Sequence, residues 1–175
     1  PMHLLILILL IFIRILSEIK MHKLILTIFL LYLAPYIFSE EKTLETEAVE
    51  LLQAYLQVDT ISPPGNESRA VDFLANIFEE EGIEFDSAES APGRGNIWAR
   101  LKGGDKPALI LLHHSDVVPA DIEYWDFDPL SGEIEDGFIQ GRGALDMKGT
   151  GISHLANFLR IHRSNKQLNR DIIFI

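Results

Sequence analysis

The stretch that decides the fold begins as LLHHSDVVPA (111–120) and resumes as WDFDPLSGEIEDGFIQGRGALDMKG (125–149). An apolar run, Ala108 to Leu112, stops abruptly at His-His-Ser-Asp, the pattern of a strand covered on both faces by helices. In open α/β sheets ligands gather beyond the carboxyl ends of the strands, which is where His114, Ser115 and Asp116 arrive. Residues two apart on an extended chain point the same way, so His114 and Asp116 address one locus while His113 and Ser115 face away.

The second half of the stretch contains a hairpin pattern. Glu133-Ile134 and Phe138-Ile139 flank Asp136-Gly137, a strong short-range turn signal. The returning strand leads into Gly141-Arg142-Gly143-Ala144-Leu145-Asp146, whose glycines let the backbone turn sharply, and Asp146 is expected at the N-cap of a helix from Met147 to about His162. A plain capping carboxylate there is worth about 1 kcal/mol. A functional one has two oxygens that can bridge two metal ions about 3.5 to 4 Å apart. Spacing leaves both readings open, as it does for His-x-Asp, which alone fits a buried histidine bonded to a nearby carboxylate.

Upstream, Thr43 caps a helix with apolar positions Leu44, Ala48, Leu51, Leu52, Tyr55 and Leu56 and with acids Glu45 and Glu47 near its positive end. Ser62-Pro63-Pro64-Gly65-Asn66 breaks it. A second helix carries Val71, Leu74, Ile77 and Phe78 on one face and ends at Gly82, after the run Glu79-Glu80-Glu81, a solvated helix end. Ile83–Asp86 and Asn96–Leu101 read as strands around the Pro92-Gly93-Arg94-Gly95 turn. This ordering is that of an α/β domain spanning residues 40–175.

Composition narrows the chemistry. Fifteen Lys and Arg against 26 Asp and Glu give a net charge of −11, which repels phosphate backbones and excludes nucleic acid as a partner. The chain has no cysteine, so a metal must be held by His and carboxylates. Residues 1–39 are mostly apolar. From Met21, the expected true start, a basic head (His22, Lys23), an apolar centre and Pro35 before Ser39 have the layout of a secretory signal peptide. Export to the periplasm or outside is the expectation. The alternative is an uncleaved anchor, and the membrane is a partner only through this segment.

The motifs resemble the co-catalytic zinc amidohydrolases that include aminoacylase, acetylornithine deacetylase, succinyl-diaminopimelate desuccinylase and glutamate carboxypeptidase. The residues that carry the resemblance are His114-Ser115-Asp116-Val117-Val118-Pro119, Trp125 with Asp128-Pro129, Asp136-Gly137, and Gly141-Arg142-Gly143-Ala144-Leu145-Asp146-Met147-Lys148-Gly149. The resemblance implies a zinc-peptidase-like three-layer α/β catalytic domain with a mixed central sheet. It implies His114 and Asp146 as metal ligands, Asp146 bridging two zinc ions that cobalt can replace. It further implies Asp116 as the catalytic-site carboxylate that supports the His114 imidazole.

The implied activity is hydrolysis of an amide or peptide bond in N-acyl amino acids or small peptides, by an enzyme whose full-length relatives can form homodimers. The family's general base and remaining ligands are expected beyond Ile175, so the chain is expected to be an N-terminal fragment with an incomplete catalytic domain. The competing reading is a non-enzymatic product, either a truncated scaffold or a membrane-tethered binding module. Ile172–Ile175 is then expected to be an unpaired apolar edge, prone to aggregation. His113 is expected as a wall residue, Trp125 and Phe127 as packing beside the site, Lys148 as an exposed first-turn lysine, and His162 and Arg163 as cations at a helix C-terminus.

Overall fold

The computed structural model describes residues 43–175 together with Arg14, so the signal or anchor read in residues 1–39 lies, Arg14 apart, outside the described residues. Helix α1 (Leu44–Gln57) starts where expected: the Thr43 hydroxyl accepts the Thr46 amide at 3.2 Å, and Glu45 and Glu47 occupy the first turn. Helix α2 (Ser68–Glu80) buries Ala70, Leu74 and Phe78 and is closed by Gly82 at φ 66°. The Ile83 amide bonds back to Phe78 at 2.8 Å, so that residue finishes the helix and strand β1 (Phe85–Glu89) begins later than the sequence pattern predicted.

Strands β2 (Gly95–Leu101), β3 (Lys106–Leu111) and β6 (Arg170–Phe174) complete a four-stranded sheet of order β1-β2-β6-β3. The β1–β2 and β2–β6 pairs are antiparallel and β3–β6 is parallel, which makes the sheet mixed, as expected. Helix α3 (Gly149–Arg163) lies in the β3-to-β6 connection. The Asp136-Gly137 hairpin forms as β4 (Ile134–Glu135) and β5 (Phe138–Ile139), with both turn residues at positive φ.

One apolar cluster joins the three helices to one sheet face: Tyr55, Leu74, Phe78, Leu155, Phe158 and Leu159 pack with Ile97, Ala99, Ile172 and Phe174, the last four alternating along β2 and β6. Arg163 adds a polar tie. Its guanidinium bonds Glu47 of α1 at 2.7 and 2.8 Å and also pairs with Glu81 after α2, so the last acid of the expected solvated run is engaged rather than free.

Two expectations about strands are corrected. The apolar run Ala108–Leu112 is not covered on both faces, because β3 is an edge strand with Leu109, Ile110 and Leu112 exposed by 45, 55 and 60 %. An apolar run reports what a strand could bury, and the described helices cover only the face centred on β2 and β6. Conversely, Ile172–Ile175 is not an unpaired edge: β6 is central, and the pairing continues past it through Ile175 N–H to Leu111 O at 2.9 Å. Among the described residues no helix is long and apolar enough to cross a membrane.

Candidate metal centre

The segment leaving β3 is held at both ends. His113 N–H donates to Ile175 O at 3.0 Å, and Val117 bonds the chain after α1 through Thr60 O at 3.1 Å and the Ser62 amide at 2.8 Å. Side chains between these anchors alternate. His113 turns inward, where its Nδ1 lies 3.2 Å from Ile175 O and its Nε2 lies 3.1 Å from the Tyr55 hydroxyl. A carbonyl only accepts, so Nδ1 carries the proton and Nε2 accepts from Tyr55. Burial lowers the His113 pKa from 6.5 to about 4, which keeps the ring neutral. Burial likewise raises the Tyr55 phenol.

His114 turns outward, 48 % exposed, and meets both other candidates. Its Nδ1 is 3.1 Å from the Asp116 carbonyl and 3.2 Å from Asp116 Oδ1, and its Nε2 is 3.0 Å from Asp146 Oδ1. The two acceptors of Asp116 assign the imidazole proton to Nδ1. Nε2 of the neutral ring then presents a lone pair to a carboxylate oxygen. Two acceptors at that distance call for a cation between them or a second proton on the ring, and one nitrogen plus one carboxylate oxygen is a donor set that zinc accepts. The pair supplies two of the three to four protein ligands that a zinc site uses. Asp116 stands on the opposite side of the ring from Asp146, and among the described residues no cluster of three or more potential ligands converges on one point.

Asp146 reaches this position by a route different from the expected one. It is not an N-cap: α3 starts at Gly149, and Ala144–Lys148 forms a wide turn in which Asp146 (φ −126°, ψ 95°) and Met147 are non-helical. The turn passes so close to Val117 that a Cβ at Gly143 would lie 2.6 Å from Val117 Cγ1, and Gly143 adopts φ 92°, so glycine is required there. The Asp146 side chain is 89 % exposed.

Lys148 corrects a second expectation: far from being exposed, it is fully buried. Its Nζ donates to Val58 O at 2.6 Å and Tyr55 O at 3.0 Å, and sits 4.9 Å from the Tyr55 ring centroid. Burial lowers its pKa to about 8, opposed by the charge of Asp59. Sequence pattern gave Tyr55 no role beyond packing and read Lys148 as exposed. Tyr55 occupied an ordinary apolar helix position, and a lysine in a helix's first turn is usually solvated.

His114 and Asp116 border two clefts. One, of about 440 Å³, is also lined by Trp125, Phe127, Arg142 and Asp146. Trp125 and Phe127 meet edge to face at 5.2 Å, and the Arg142 guanidinium lies 4.9 Å over the Trp125 ring. The other, of about 340 Å³, is lined by Glu67, Arg94 and Asn96, with Glu67 buried and its carboxylate 2.9 Å from Arg94 Nε.

Residues 110–175 match Peptidase family M20/M25/M40. The chain is 35 % identical over 133 residues to a succinyl-diaminopimelate desuccinylase of Ehrlichia canis, an alignment covering 74 % of this chain and 34 % of that protein. It is 42 % identical over 107 residues to the protein of the same name from Methylocella silvestris, covering 58 % and 27 %. Among solved structures, the M20 family metallo-carboxypeptidase Sso-CP2 from Sulfolobus solfataricus superimposes with a TM-score of 0.63 at 29 % identity, over 73 % of this chain and 30 % of that one. Human carnosine dipeptidase 1 shares the fold, with a TM-score of 0.52 at 24 % identity over 73 % and 31 %. The chain thus spans about a third of the length of such curated relatives. Residues 110–175, which carry His114, Asp116 and Asp146, are thus similar to peptidase family M20/M25/M40.

Proposed function

We infer that His114 and Asp146 hold a divalent metal ion, zinc with cobalt as a substitute, and that the chain contributes this part of a hydrolase site acting on amide or peptide bonds of N-acyl amino acids or small peptides. The carrying observation is His114 Nε2 facing Asp146 Oδ1 at 3.0 Å while Nδ1 is committed to Asp116. A carboxylate that fixes the far nitrogen of an imidazole is the usual support of a metal-binding histidine. The relatives are named desuccinylase and metallo-carboxypeptidase, consistent with that substrate class.

When bound, the metal supplies Lewis acidity to a scissile carbonyl and to the attacking water. The chain's own residues do the rest. His114 and Asp146 supply donor atoms, and Asp116 holds the imidazole in the tautomer that turns Nε2 outward. Trp125 and Phe127 wall the larger of the two clefts that His114 borders. Two ions are proposed for the site to which this chain contributes, and Asp146 would supply a donor oxygen there.

Metal analysis of the purified chain tests the assignment. Bound zinc, and the visible absorption of a cobalt-loaded sample, are expected to fall in both His114→Ala and Asp146→Ala. Unchanged metal content in both variants would refute it.

A further inference from the structure

We propose that Lys148 and Tyr55 form a positioning device that sets the separation of His114 and Asp146, a role that rests on the metal-site reading above. Asp146 is nearly free of side-chain contacts, His114 excepted, and its side chain is 89 % exposed. Its placement must come from the backbone that carries it. That backbone is the Ala144–Lys148 turn, closed by Lys148 N–H to Gly143 O at 2.9 Å and packed so tightly that a Cβ at Gly149 would lie 2.2 Å from Ala144 O.

Lys148 ties this turn to the rest of the molecule. Helix α1 ends with no basic residue in its last turn, and the buried Lys148 ammonium arrives there from the far side of the sequence, bonding the carbonyls of Tyr55 and Val58. Carbonyls at a helix C-terminus lack partners within the helix and carry its negative end, so they hold a cation firmly. The same Tyr55 holds the other ligand's segment, since its hydroxyl donates to His113, the residue next to His114. One residue of α1 therefore anchors both arms of the centre, its carbonyl taking the Asp146 arm and its hydroxyl the His114 arm.

The test uses the full chain and cobalt as the probe, with affinity and visible absorption as readouts and circular dichroism as the check of folding. Tyr55→Phe removes only the hydroxyl and Lys148→Met only the ammonium. Supporting partners of metal ligands typically change affinity about 10- to 100-fold, so each variant is expected to weaken cobalt binding at least about 10-fold and alter its absorption band. Arg163→Met, which loosens the helices away from the centre, is expected to keep cobalt affinity within about twofold of the parent, which separates positioning from general loss of stability. Parental affinity and absorption in a folded Lys148→Met overturn the proposal. If that variant does not fold, parental binding by Tyr55→Phe overturns it instead. Parental binding by His114→Ala, run alongside, would overturn the metal-site reading and this proposal together.

Discussion

Gly151→Ala sets two physical effects against each other. Gly151 is buried in the first turn of α3, where alanine ordinarily stabilises a helix by about 1 kcal/mol. Here the added Cβ would lie 2.3 Å from His113 Cδ2 and 2.8 Å from Cγ and Nε2, closer than real contacts allow. The ring cannot step aside freely: Tyr55 and Ile175 hold its two nitrogens, and the Phe174 ring lies 5.3 Å away. Overpacking of this kind costs about 1 to 3 kcal/mol, and a displaced ring also loses a hydrogen bond worth about 1 kcal/mol. Subtracting the helical gain leaves a net destabilisation of about 2 kcal/mol. For a folded unit of this size that corresponds to a melting temperature roughly 8 °C lower. Thermal and urea unfolding monitored by circular dichroism measure it. An unchanged or higher melting temperature would show that His113 is not held as described.

The neutral His113 also gives stability a pH dependence. Its folded pKa, about 4, is below its unfolded value of 6.5, so between these values the unfolded chain binds more protons; its contribution is full above about pH 6.5 and is lost as pH falls toward 4. The loss is on the order of 2 to 3 kcal/mol, and urea titrations between pH 7 and 4.5 should show a shallower slope for His113→Gln than for the parent. An identical slope would contradict a buried neutral ring. Arg163→Met is expected to cost only about 1 kcal/mol, because the guanidinium is 42 % exposed and solvent weakens its pairs. The hydrogen bond from Arg163 lowers the Glu81 pKa, so the difference between parent and variant should be present above about pH 4.5, shrink as pH falls through the folded Glu81 value, and narrow in high salt; a melting-temperature difference independent of both would argue against the pair.

Much of the fold was legible because its signals are local. Thr43 caps α1 through a residue three positions away, Asp136-Gly137 meets the φ > 0 demand of its turn without outside help, and the apolar faces of α1 and α2 follow helical periodicity. The candidate centre was half legible for the same reason. His114 and Asp116 are two residues apart just beyond the end of β3, so their contact is local in the sequence. The approach of Asp146 depends on the turn at Gly143 and was reached only through the family resemblance.

The sequence by itself determined the α/β order, the hairpin, the donor types and the family resemblance, since each is written in short-range pattern or in ordered motifs. Tertiary structure alone decided that β6 is central and β3 an edge, because strand order depends on pairing between residues about 60 positions apart. It also decided that Lys148 is buried, because only folding brings the carbonyls at the end of α1 to its ammonium. A lysine's environment is set by what packs over it, and no neighbour in the sequence reports that.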